Sequence, residues 1–202
     1  MQVSPSQRIV LVRHGETAWS KTGQHTGRTD IALTDDGRQH AMGLGRYLQA
    51  HYAQVSRVWT SPLGRARETC RLAGFYEKAQ VDPDLMEWDY GIFEGRTTLD
   101  IRKLQPEWSV WKSEITGGEA LEQVAERTRR VIERVTADAA AGDAMLFAHG
   151  HVLRILAASW IGLPPLAGRY WALDTASVSV LGYERQTPVI HQWNLTPGDG
   201  RV

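Results

Sequence analysis

The stretch Ile9-Val10-Leu11-Val12-Arg13-His14-Gly15 restricts the possible folds of this 202-residue chain more than any other. Four consecutive branched aliphatic residues suit a strand covered on both faces, as in a parallel sheet flanked by helices. The strand runs directly into a permanent cation, a titratable imidazole and a glycine. In open α/β sheets, ligands sit in the crevice beyond the carboxyl ends of the strands. A lone histidine after a strand is ordinarily a capped or solvated residue, but here the pattern occurs twice. Ala144-Met145-Leu146-Phe147-Ala148 is a second apolar run, and it ends in His149-Gly150. In a parallel sheet both ends lie on one rim, so the two imidazoles can meet.

The intervening chain alternates helix and strand signals. Thr34 can cap a helix with Asp35 and Asp36 in its first turn, and Ala41, Leu44, Leu48 and Tyr52 recur at helical spacing. Arg57–Thr60 reads as a strand. Pro62 then suits the first turn of a helix, with Arg65 one turn in. Spacing does not choose among Arg65, Arg67 and Arg71 for a ligand role. Residues 97–104 and 106–112 suggest two short helices. Gly117-Gly118 precede a long amphipathic helix whose stripe runs from Leu121 to Val135. Its arginines Arg127, Arg129, Arg130 and Arg134 read as a solvated face. Residues 151–162 form an apolar helix ended by Pro164-Pro165. Residues 176–183 and 188–194 read as strands that can pair as a hairpin. Residues 16–27 read as a loop, residues 1–7 as a fraying start and residues 196–202 as a loose tail. The expected architecture is a three-layer α/β sandwich with a mostly parallel central sheet flanked by helices. It forms one domain over residues 1–202, with a core at about 8–195.

Composition narrows the function. Lys plus Arg and Asp plus Glu both number 23, so the chain lacks the basic excess of a general nucleic-acid surface. The one cysteine, Cys70, excludes an internal disulfide and a cysteine-based zinc site, and it reads as a small core residue. No carboxylate cluster suited to a divalent metal stands out. No apolar stretch approaches membrane-spanning length and no signal-like segment begins the chain, so the expected compartment is the cytoplasm. The eight tryptophans belong to core or pocket wall. In Glu87-Trp88-Asp89-Tyr90-Gly91, carboxylates interleave with aromatics. A glutamate pressed against such rings loses hydration, which favours its protonated form and suits a general acid; the alternative is a glutamate bonding an arginine or backbone groups. Ser20, Thr26 and Gly27 can donate hydrogen bonds to a ligand, or be ordinary turn residues.

Five blocks now stand in order: Arg13-His14-Gly15-Glu16-Thr17, Thr26-Gly27, Ser61 to Thr69, Glu87-Trp88-Asp89-Tyr90-Gly91 and Ala148-His149-Gly150-His151. Together they resemble the histidine phosphatase superfamily, the clan of cofactor-dependent phosphoglycerate mutases and their phosphatase relatives. The resemblance implies a phosphoglycerate mutase-like fold and a phosphohistidine formed on His14. It also implies that Arg13, Arg65 and His149 surround the transferred phosphoryl group, and that Glu87 gives and takes the proton. Ser20, Thr26, Gly27, Tyr90, Gly150 and His151 become candidates for substrate or phosphate binding, with no metal ligand. Arg13 and Arg65 would keep His14 neutral, with a carbonyl near Gly15 bonding its other ring nitrogen. Family mutases carry a longer basic insertion where this chain has the short stretch Gly95–Glu119. Here only Arg96, Arg102, Lys103 and Lys112 occur, without an adjacent arginine pair. Residues 96–119 are thus expected to be a lid or insert that, with Trp88 and Tyr90, tunes specificity. The implied function is a metal-independent phosphomonoesterase acting on small phosphorylated metabolites, of sugar phosphate or bisphosphate type, without a required cofactor. One alternative is a cofactor-dependent phosphoglycerate mutase, primed by 2,3-bisphosphoglycerate. The other is a non-catalytic phosphate-ligand binding protein. The expected partner is a small phosphorylated substrate, with no nucleic acid and no membrane, and the chain acts as monomer or homodimer.

Overall fold

The computed structural model describes residues 7–137 and 142–197. A six-stranded sheet runs through it in the order β3-β2-β4-β1-β5-β6. These strands are β1 (Ile9–Arg13), β2 (Arg57–Thr60), β3 (Ala79–Val81), β4 (Ala144–Ala148), β5 (Val178–Glu184) and β6 (Thr187–Leu195). The first four are mutually parallel where they pair, while β5 runs antiparallel to β1 and closes a hairpin with β6. The mostly parallel sheet and the terminal hairpin match the sequence expectation.

Alternation along the central strands creates the three layers. Ile9 and Leu11 of β1, with Ala144, Leu146 and Ala148 of β4, join a core on one face of the sheet. Val10, Val12, Met145 and Phe147 join the core on the other. The first face is covered by α5 (Leu121–Thr136), by α6 (Gly150–Trp160) and by buried residues of the 88–115 stretch such as Trp88, Ile101 and Trp108. The second is covered by α2 (Asp35–Tyr52) and α3 (Gly64–Leu72). In α2, Thr34 Oγ1 accepts from Gly37 N at 2.9 Å, and Leu44 and Leu48 are buried. Gly45 is required there because a Cβ would lie 2.7 Å from Ala73 Cα at the end of α3. Cys70 is buried as expected, and burial pushes its thiol up to about 12. None of the eight tryptophans is exposed. No described helix is long and apolar enough to cross a membrane.

Several local expectations are corrected. Residues 18–22 form a short helix, α1 (Ala18–Thr22), because Thr17 and Ser20 bond each other's backbone N–H in a capping box. Residues 106–112 form turns and no helix. The Ser109 and Ser113 hydroxyls take the Trp111 and Ser109 N–H groups, competing with a helical ladder. The 97–104 helix is present but shorter, as α4 (Thr98–Arg102). Pro62 lies ahead of α3, so Arg65 is the second helical residue and stands in its first turn. Strand β3 was not anticipated; three half-buried or exposed residues carry no readable period. Gln7 does not fray: it is buried, and its Nε2 donates to Val135 O at 2.8 Å. The remaining terminal expectations, residues 1–6 and 198–202, lie outside the described residues.

The turn after β1 presses on the start of α2. A Cβ on Gly15 would lie 2.5 Å from Gly37 O, and one on Gly37 would lie 2.2 Å from Glu16 O. Backbone on both sides leaves nothing flexible to yield. Gly37→Ala is therefore expected to destabilise the fold by roughly 1–3 kcal/mol, read as a lower urea midpoint; an unchanged midpoint contradicts the contact.

Candidate active site

The β1–β4 pairing sets Arg13 opposite Ala148. It continues one residue further, where His14 N donates to Ala148 O at 3.0 Å. The two imidazoles that follow these strands therefore meet, with ring centroids of His14 and His149 5.1 Å apart. His14 Nδ1 lies 2.7 Å from Gly15 O. A carbonyl only accepts, so Nδ1 carries the proton and the lone pair is on Nε2. Burial, then the Arg65 and Arg13 charges, hold this imidazole well below its ordinary 6.5. Burial dominates over the two arginines to which sequence reasoning assigned the effect.

His149 is fully buried, and Arg65 Nε donates to its Nδ1 at 3.2 Å. Its Nε2 thus bears the proton and faces Ser61 Oγ at 2.8 Å. Burial, then Arg65, lower its pKa well below 6.5. Arg65 is itself completely buried. Nη1 donates to Thr29 O at 2.9 Å, and Nη2 to Thr26 O at 3.1 Å and Gly27 O at 2.8 Å. Its arms are thus bonded to the 26–29 loop and to His149, and neither Arg65 nor His149 lines the adjoining cavity. Gly27 is also off the cavity wall. A Cβ there would lie 2.1 Å from Glu94 Oε1 and 2.5 Å from Trp88 O, so close approach requires glycine at this position.

The cavity holds about 170 Å3, room for roughly six waters. Of the expected residues, Arg13, His14, Ser20 and Thr26 line it, as do Glu87, Tyr90, Gly150 and His151. The Ser20 hydroxyl donates to Thr17 O at 3.0 Å and the Thr26 hydroxyl to Gln24 O at 3.0 Å, so both are turned to backbone. Arg13 donates through Nη1 to Leu173 O, and its Nε is buried with no hydrogen-bond partner among the described residues. Tyr90 Oη and His151 Nδ1 are 2.6 Å apart.

Glu87 is buried as expected, but its surroundings differ from an apolar slot. Oε1 accepts from Trp88 N at 2.9 Å and Val152 N at 3.0 Å, and Oε2 from His151 N at 3.0 Å. Backbone donors, two of them at the N-terminus of α6, stand where water would be. Arg127, expected in solvent, is buried and grips this segment from α5. It donates to Asp84 O at 2.8 Å, Met86 O at 2.5 Å and Glu87 O at 3.1 Å, and pairs with Glu119 at 3.0 Å. The signal was present: Arg127 lies on the same helical face as buried Val124 and Val131. Arg129, Arg130 and Arg134 are exposed as expected.

Two further residues of the wall were missed. His25 is buried against Tyr90 and Trp108, at 4.9 and 5.2 Å between ring centroids, and burial lowers it to about 4. Arg154 donates from Nε to Gly168 O at 2.8 Å and lies 4.8 Å above the Trp111 ring, bringing a second guanidinium to the cavity. Among the described residues, no group of three or more His, Cys, Asp or Glu side chains is placed to hold a metal ion.

This geometry coincides with family membership. A sequence profile of the histidine phosphatase superfamily, branch 1, matches residues 9–196. The chain is 38% identical over 179 residues to an acid phosphatase of Mycobacterium tuberculosis, covering 89% of this chain and 88% of that protein. It is 35% identical over 188 residues to a sedoheptulose 1,7-bisphosphatase of Saccharomyces cerevisiae, covering 79% and 69%. A solved structure of an open reading frame product from Mycobacterium tuberculosis superposes with a TM-score of 0.89 at 36% identity, covering 95% of this chain and 98% of that one. The chain belongs to the histidine phosphatase superfamily, branch 1, and is an enzyme of its phosphatase and phosphoglycerate mutase-like group.

Proposed function

We propose that the chain is a metal-independent phosphomonoesterase of small phosphorylated metabolites, of sugar phosphate or bisphosphate type, working through a phosphohistidine on His14. The observation that carries this reading is the His14 ring itself. It is bonded through Nδ1 to Gly15 O and is kept neutral by burial, in a cavity it shares with Arg13 and Glu87. Relatives named as acid phosphatase and sugar bisphosphatase support it. The equal counts of acidic and basic residues favour a small anion over a polyanionic partner. The proposed setting is the cytoplasm, as monomer or homodimer, with no added cofactor.

In the proposed sequence His14 Nε2 attacks phosphorus in line and the ester P–O bond breaks. Glu87 supplies a proton to the departing oxygen. Glu87 then takes a proton from water as that water attacks the phosphohistidine, the N–P bond breaks and inorganic phosphate leaves. Donors held in place before reaction stabilise the transferred group without reorganisation. Arg13, which lines the cavity beside His14, is one source of positive charge there. Arg65 acts through His149, fixing which nitrogen carries the proton, and through its charge beside His14.

His14→Ala is expected to abolish turnover, and labelled phosphate trapped on the wild type should be acid-labile and base-stable. An acid-stable adduct, or loss of wild-type activity in excess chelator, rules out the route. Glu87→Gln should slow alkyl phosphates about 10²–10⁴-fold and aryl phosphates much less, measured as kcat/KM, which reports the steps up to departure of the alcohol and leaves out the shared hydrolysis of the phosphohistidine; an equal loss on both argues against proton donation. Because burial lowers His14, the nucleophile stays competent below neutrality. The acid limb of kcat/KM should therefore fall below pH 6.5, and a limb at or above that value contradicts a neutral, buried nucleophile.

A further inference from the structure

Tyr90 and His151 are polar aromatic groups of the cavity wall to which the reaction above gives no task. Tyr90 Oη lies 2.6 Å from His151 Nδ1. Among the described residues Oη has no other hydrogen-bond partner, so the hydroxyl proton has one acceptor, the Nδ1 lone pair. A neutral imidazole that accepts on one nitrogen carries its proton on the other. Burial supports this pairing from both sides, raising the phenol well above 10.0 and lowering the imidazole well below 6.5. His151 Nε2 has no protein partner among the described residues, yet it is not sealed: the residue is partly exposed and lines the cavity.

The direction in which this N–H is useful follows from its neighbours. The His151 ring packs against Tyr90, Trp88 and Trp111, at 5.8, 6.0 and 5.1 Å between centroids. The His14 ring packs instead against His149. The transferred phosphoryl group takes the His14 end, so the aromatic end receives whatever remains on the leaving oxygen. The backbone N–H of His151 also holds Glu87 Oε2 at 3.0 Å. One residue thus carries both a fixed side-chain donor and a mount for the carboxylate that handles the proton.

We propose that Tyr90 locks His151 in the Nε2–H form, making it a neutral, fixed donor to an oxygen of the leaving group. The enzyme then prefers esters whose alcohol carries a further hydroxyl or carbonyl oxygen beside the ester carbon. A neutral donor does not demand a second anion, so the preference is for polyol-like alcohols and extends to monophosphates. Tyr90 is a positioning residue in this arrangement, and the proposal rests on the phosphatase reading above.

The test uses the full chain and two esters: glycerol 3-phosphate, with a hydroxyl on the neighbouring carbon, and n-propyl phosphate, which lacks it. Nitrogen-15 spectra of the histidine rings, with His151 assigned through His151→Gln, report the tautomer without turnover. The expected results are an Nε2–H form in the wild type and loss of that single form in Tyr90→Phe. In kcat/KM, the wild type should prefer glycerol 3-phosphate. His151→Ala should lose roughly 5- to 100-fold more on that ester than on propyl phosphate. His151→Gln, which retains an N–H donor, should recover part of the difference. A wild-type His151 protonated on Nδ1, or an equal loss on both esters in His151→Ala, overturns the proposal. Wild-type failure on both esters removes the phosphatase reading, and the donor's substrate with it, whichever tautomer the spectra report.

Discussion

The parallel pairing of β1 with β4 is the constraint on which the site depends. It places Arg13 opposite Ala148 and carries one further bond, from His14 N to Ala148 O, before the strands part. The pairing is held by burial on both faces: Ile9 and Leu11 face one core, Val10 and Val12 the other. A slip of one residue would exchange those sets and move the imidazoles apart by about 3.3 Å along the strand. The meeting of two histidines distant in sequence is therefore a product of core packing, and the chemistry adds no separate device for it.

Around that meeting point the protein uses desolvation more than charge. His14 and His149 are kept neutral chiefly by burial, with the Arg65 cation second. Arg65 is buried as well, and a buried guanidinium is tolerated only where its donors are satisfied. The carbonyls of Thr26, Gly27 and Thr29 do this, so the same cation also fixes the loop that borders the cavity. Glu87 is buried too, with three N–H groups gathered on its two oxygens.

The parts of this arrangement that could be read from sequence share a property: they are continuous in the chain. An uninterrupted apolar run followed by His-Gly is legible at both β1 and β4. Arg65 was not distinguishable from Arg67 or Arg71 by spacing, because all three fall on one short helix, and only the resemblance selected it. Arg127 was assigned to solvent because charge on an amphipathic helix is ordinarily solvated; its place on the face of Val124 and Val131 was legible, but its carbonyl partners in residues 84–87 were not. His25 was missed although its neighbours Thr26 and Gly27 were nominated, because its packing on Tyr90 and Trp108 leaves no local pattern, and Arg154 because its place over Trp111 leaves none either. Residues 18–22 and 106–112 were each assigned the other's kind of structure. In both, side-chain hydroxyls decided the outcome, those of Thr17 and Ser20 capping a helix in the first and those of Ser109 and Ser113 capturing backbone donors in the second. The steric demand at Gly27, set by Glu94 and Trp88, was not legible because both neighbours are distant in the chain.

The Arg127 clamp acts together with a staple at the base of the wall. Glu119 N donates to Asp89 O at 3.0 Å, Asp89 N to Glu119 Oε2 at 2.9 Å and Trp88 Nε1 to Glu119 O at 2.8 Å. Residues 90–118 thus leave and rejoin the chain at one closed point, and Arg127 ties that point to the Glu87 carbonyl. The exposed tip of the excursion, residues 102–107, hangs free of the clamp. Doubling a loop's length costs only about 0.6 kcal/mol in closure entropy. Chain can therefore be spliced into this tip, or trimmed from it, as an exchangeable cassette while the Glu87 carboxylate keeps its place.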